Sequence, residues 1–106
     1  MKKILCMILY NVTINIDSVV EQEWLEWMKA EHVPNVLGTG MFTECKIYKI
    51  LADDPQGKSY SFQYFAKSMD DIETYQKNYA AAMQKETLDK YGKHFVAFRT
   101  LLESVD

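Results

Sequence analysis

The sequence predicts one α+β domain with the element order β-α-β-β-α-β. Three observations carry that reading. Ile4, Cys6, Ile8, Tyr10, Val12, Ile14 and Ile16 occupy every second position, the period of a long β-strand with one wholly apolar face. Val20, Trp24, Trp27, Met28 and Glu31 fall within one stripe at roughly 100° per residue, as do Ile72, Tyr75, Tyr79, Ala82 and Met83 further on. Between the two helical patterns, Asp53-Asp54-Pro55-Gln56-Gly57 is a turn signal flanked by two strand-like runs. A chain of 106 residues with 48% hydrophobic content is the size of one domain and holds enough apolar side chain for a packed core.

Taken in order, the first strand runs from Ile4 to Ile16. Asp17 or Ser18 caps a helix reaching about His32, and Glu21 and Glu23 suit the positive end of its dipole. Pro34 and Gly38-Thr39-Gly40 end it and open a loop. Met41 to Leu51 reads as the second strand, with imperfect alternation that suggests a bulge, and Ser59 to Lys67 as the third, making a hairpin. Ser68 and Asp71 have capping-box spacing and start the second helix. The polar stretch Gln84 to Lys90 continues it as a bent or separate piece, with Leu88 and Tyr91 inward and Gly92 as the C-cap. His94 to Glu103 is the fourth strand.

This order is the ferredoxin-like arrangement, an antiparallel four-stranded sheet with both helices on one face. The second face of the first strand begins Leu5, Met7, Leu9 before turning polar at Asn11, Thr13 and Asn15. Helices on the other side leave those apolar residues bare, so a homodimer that buries sheet against sheet is expected.

Composition excludes several partners. With 12 Lys+Arg against 15 Asp+Glu, a net charge of −3, the chain lacks the clustered cations that nucleic acid requires. No apolar run approaches the ~20 residues of a membrane span, and Lys2-Lys3 followed by Ile4 to Leu9 passes into the strand with no small-residue cleavage site. Cys6 and Cys45 have neither Cys-x-x-Cys spacing nor paired histidines, which points to free thiols in a cytoplasmic setting and to no metal site. No nucleophile elbow and no phosphate-cradling glycine loop is present.

The candidate ligand pocket is Tyr10, Trp27, Glu31, His32 and Arg99. Glu31 lies in the apolar stripe of the first helix and His32 on its flank beside Met28, so either the helix end leaves the core there or two titratable groups face an apolar cavity. In the second case His32, with an ordinary pKa near 6.5, suits proton transfer at neutrality, and desolvation would raise Glu31. In the first, His32 is a helix-end residue favoured by the dipole, and Glu31 reaches solvent. Trp24 and Trp27 read as core, with ring N–H groups that need partners. The hydroxyls of the seven tyrosines are packing groups with wet tips, some of which could orient a ligand. Arg99, in the middle of Phe98-Arg99-Thr100, either holds a carboxylate or phenolate or makes an interface ion pair, for example with Glu44.

The segments Met7 to Ile16, Trp24-Leu25-Glu26-Trp27-Met28 with His32-Val33-Pro34, the loop into Met41-Phe42, and Phe98 to Leu102 resemble domain-of-unknown-function family 4286, a bacterial family of about this size. The resemblance covers nearly the whole chain, and its start at Met7 suggests that residues 1–6 are a variable extension. More distantly, His32-Val33-Pro34 is similar to a His-x-Pro at the end of helix one in the dimeric α+β barrel superfamily, which includes cofactor-free enzymes and heme- or polyketide-handling proteins. The resemblance implies the fold and leaves the activity open. The expectation is a homodimer that binds an apolar or aromatic small molecule between helix one and the sheet without a cofactor. A cofactor-free monooxygenase- or isomerase-like enzyme, and a noncatalytic structural or interaction domain, are the alternatives.

Overall fold

Residues 7–52, 54 and 57–105 are described by a computed structural model. Ile8–Asp17 (β1), Glu44–Ile50 (β2), Gly57–Ala66 (β3) and Phe95–Glu103 (β4) form one sheet in the order β2-β3-β1-β4, with every neighbouring pair antiparallel. Expectations for Ile4, Leu5 and Cys6 in the first strand, and for Asp53, Pro55 and Gln56 in the hairpin turn, lie outside the described residues.

The alternation of β1 decides the layering. Ile8, Tyr10, Val12, Ile14 and Ile16 are all buried beneath the helices, and β1 pairs on both sides, so its register sets which face its neighbours present. Tyr10 opposes Tyr64, Val12 opposes Phe62 on one side and Arg99 on the other, and Ile14 opposes Ala97. These residues therefore share the helix-covered face. The opposite face carries Leu9, Phe65, Tyr48, Ile50, Val96, Phe98 and Leu102, with Val96 and Phe98 more than 60% exposed. A polar band crosses its centre, where Ser61 donates to Asn11 Oδ1 (2.6 Å), Asn11 to Thr13 (2.9 Å) and Gln63 to Ser61 (3.2 Å).

The first helical segment differs from the expectation at both ends. Neither Asp17 nor Ser18 caps it; the backbone turns through Asp17–Val20 and helix α1, Glu21–Trp27, starts with no side-chain cap. Pro34 does not end it either. The chain passes through one π-helical turn, Met28–His32, into a further helix α2, Val33–Leu37, which holds Pro34 in its first turn. The wider turn accommodates a residue that lacks an N–H and whose ring crowds the preceding carbonyls. Gly40, at φ 82°, turns the chain out of α2 in a conformation that favours glycine.

The second strand is shorter than Met41–Leu51: Phe42 folds into the core instead, and pairing runs without a break from Glu44 to Ile50, so the suggested bulge is absent there. Gly57 begins β3 against β1 so closely that a Cβ would lie 2.7 Å from Asn15 Oδ1. Ser68 caps α3, Met69–Asn78, by accepting from the Asp71 N–H at 3.2 Å, as its spacing predicts. The helix breaks at Tyr79 and resumes as α4, Ala80–Tyr91. That break rotates the apolar stripe, so Ala80, Thr87 and Tyr91 are buried while Ala82 and Leu88, expected inside, are exposed.

Candidate functional site

The π turn determines what helix one presents to the sheet. Its signature bond runs from the Val33 N–H to the Met28 carbonyl, five residues back. The extra residue per turn shifts the phase, so the buried positions become Trp24, Met28, His32, Val33 and Val36. Glu31, placed within the apolar stripe by an unbroken helix, is exposed, and His32 takes the interior position at 8% exposure. One inserted position accounts for both departures.

His32 is fixed by two contacts, each supported by a further residue. Its ring stacks on Trp27 with centroids 5.7 Å apart and planes at 24°, and Trp27 meets Tyr91 edge-on at 5.6 Å. Nδ1 lies 3.0 Å from Glu86 Oε1 on α4, and Asn35 on α2 donates to Glu86 Oε2 at 3.0 Å. An ionised carboxylate only accepts, so Nδ1 carries the proton, and the neutral ring presents a bare lone pair at Nε2. Nε2 has no hydrogen bond among the described residues. Burial pushes the His32 pKa below its usual value; Glu86 opposes that shift, and the Arg99 cation adds to it. The neutral, accepting form is therefore the ground state at neutral pH.

Between the helices and the sheet lies a recess walled by Tyr10, Val12, Phe62 and Arg99 from the strands, Trp24, Met28 and His32 from helix one, Tyr75 from α3, and Met83, Gln84 and Thr87 from α4. Its interior gives about 30 Å³ to the centres of water molecules, room for roughly two. At one end Tyr10, Phe42, Tyr64 and Tyr75 form an aromatic group with centroid separations from 4.8 to 6.4 Å. Burial raises the pKa of the Tyr64 and Tyr75 hydroxyls, which keeps them protonated as donors. Trp24 is fully buried, and its Nε1–H is, among the described residues, the buried side-chain polar atom left without a partner. Such a donor costs free energy unless something in the recess accepts from it.

Tyr10, His32 and Arg99 thus share one recess, Trp27 stands behind His32 as its support, and Glu31 lies outside. Arg99 faces the helices from an edge strand, while Glu44 lies on the opposite edge and the opposite face; no ion pair to Arg99 occurs among the described residues. The sequence does not mark Glu86 or Asn35 as site residues; it marks Tyr75 as a tyrosine that could orient a ligand and the Trp24 N–H as a donor needing a partner, and places neither in the site. A signal for Glu86 existed: it stands three residues after Met83 in a helical pattern, on the same face.

Residues 7–105 match the family described as Domain of unknown function (DUF4286). The chain belongs to the DUF4286 family. No curated protein matches it. Among solved structures, this DUF4286 chain is similar to a dimeric ferredoxin-like protein from an uncultured marine organism at 15% identity and TM-score 0.67, over 94% of this chain and 95% of that one. A candidate antibiotic biosynthesis monooxygenase from Nitrosomonas europaea matches at 12% identity and TM-score 0.66, over 100% and 95%. A hydroxynitrile lyase from Passiflora edulis matches at 16% identity and TM-score 0.59, over 93% and 96%. Identities this low establish the ferredoxin-like fold shared by these proteins, and the fold alone.

Proposed function

We propose that this DUF4286 protein is a homodimer that binds a small apolar or aromatic molecule in the recess between helix one and the sheet, with His32 Nε2 as the polar contact that orients it. The observation that carries the reading is the His32–Glu86 pair: a buried imidazole oriented by a carboxylate, with its second nitrogen unsatisfied at a cavity wall. Nε2 makes no hydrogen bond within the described protein, which leaves a position for a ligand atom at the cavity wall. Met28 and Met83 line the same recess and can change rotamer to admit a ligand larger than the resting volume. A thermal-shift screen over phenols, aromatic acids, fatty acids and heme, run on the unmodified protein and His32→Leu, tests it. Stabilisation of the unmodified protein that His32→Leu loses supports the reading, and absence of any hit counts against it.

The dimer is proposed through the open sheet face, where Phe98, Val96, Tyr48 and Leu102 stay exposed on the isolated chain. Among the described residues no helix is long and apolar enough to cross a membrane. A cytoplasmic location is proposed on the half-buried free thiol of Cys45, whose pKa burial raises to about 11, leaving it an inert small hydrophobe.

Catalysis is a second reading, favoured by the same pair. A C–H or O–H proton of the ligand would pass to His32 Nε2, the imidazolium would keep its Nδ1–H on Glu86, and the negative charge left on the ligand would face Arg99. Deuterium incorporation into a carbon acid in D2O, lost in His32→Leu, is the expected sign of turnover.

A further inference from the structure

We propose that the ligand is a compact organic carboxylate, held by Arg99 at the mouth of the recess with its apolar body directed toward Trp24 and Met28. The inference rests on the reading of the recess as a ligand site and adds the charge and chemical class of what enters it.

The argument is an imbalance of donors over acceptors. Arg99 lines the recess and has neither an ion pair nor a hydrogen bond among the described residues, in a chain whose acids outnumber its Lys and Arg 15 to 12. Register explains its aim: it opposes Val12 on β1, a residue buried on the helix side, so Arg99 projects toward the helices and away from the open face. The hydroxyls of Tyr10 and Tyr75 make no hydrogen bond among the described residues. Both tyrosines line the same recess as Arg99. Against these donors stands the bare Nε2 of His32, with the Gln84 side chain able to act either way. A neutral donor ligand would leave most of these groups unpaired, whereas a carboxylate offers up to four acceptor sites and suits a guanidinium fork.

Size narrows the class further. About 30 Å³ inside the recess is far less than a ring occupies, so only a short branched or single-ring body can be accommodated, by displacement of Met28 and Met83, with the charged end left at the open side. Burial, with a smaller contribution from the Arg99 cation, holds His32 neutral; an anion beside the ring favours its protonated form, whose Nε2–H can donate to it, so binding and His32 protonation become linked.

The test pairs isovalerate, benzoate and phenylacetate with their amides, which match in shape and lack the charge. Binding is followed by ¹H–¹⁵N chemical-shift titration of the full-length protein, on the unmodified chain, Arg99→Gln and Arg99→Lys; the exposed position of Arg99 makes both variants compatible with folding. At least one acid is expected to bind about tenfold or more tightly than its amide, and Arg99→Gln to weaken the acid far more than the amide and so remove most of that advantage. Arg99→Lys should retain part of it, and the His32 titration midpoint should rise in the acid-bound protein. Amides binding as well as acids, or acids indifferent to Arg99→Gln, would overturn the carboxylate inference while the ligand-site reading stands. Binding of neither series overturns both.

Discussion

His32 and Glu86 lie 54 positions apart in the chain and meet at 3.0 Å between Nδ1 and Oε1, joining the π turn of helix one to α4. The bond fixes the imidazole tautomer and, with Asn35 on the other carboxylate oxygen, ties both helical layers together over the recess. Its electrostatic sense can be read directly. Glu86 supports the charged form of His32, and burial opposes it.

Replacing Glu86 by Gln should therefore lower the His32 pKa further below its usual value, because both the hydrogen bond and the charge that raise it are weakened. A ¹⁵N-detected imidazole titration checks this, and an unchanged or higher midpoint would show that the pair does not govern His32.

Stability should depend on pH through the same residue. The unfolded chain binds a proton at His32 near its ordinary value of 6.5, and the folded chain only at lower pH. The contribution of a neutral His32 is thus fully present above that value and is lost as pH falls from 6.5 through the folded pKa. Denaturation midpoints measured from pH 8 downward should decline in that window, and His32→Leu should show a shallower decline.

Trp24→Ala should destabilise the fold by about 3–5 kcal/mol, since the ring is fully buried against Tyr60 and Phe62 at 5.4 and 5.7 Å. Urea denaturation measures the change. A shift below ~1 kcal/mol would mean that the surroundings collapse into the vacated space, at odds with a rigid recess wall.

Phe98→Lys should convert the proposed dimer to monomer without unfolding it, because Phe98 is 62% exposed on the open face and a lysine there would be desolvated only by such an association. Sedimentation velocity at micromolar concentration reads the outcome, with circular dichroism as the check on folding. An unmodified chain that sediments as a monomer would remove the premise.

What the sequence by itself determined is whatever depends on local period. The alternation from Ile8 to Ile16, the turn signal ahead of Gly57 and the Ser68 cap are short-range patterns, and each has its counterpart in the strands, the hairpin pairing and the start of α3. The bare apolar sheet face was legible for the same reason: once β1 alternates, its neighbours must present alternate residues to opposite sides. Tertiary structure decided the site. An uninterrupted helical period put Glu31 inside and His32 on the flank, and the π turn Met28–His32, just ahead of Pro34, reversed them, a phase shift that periodicity cannot register because it inserts a single residue. Glu86 reaches His32 through the packing of α4, 54 positions along the chain, and Arg99 reaches the recess through the register of β4, 67 positions along, and no pattern confined to one segment of chain specifies which polar groups will come together over such separations.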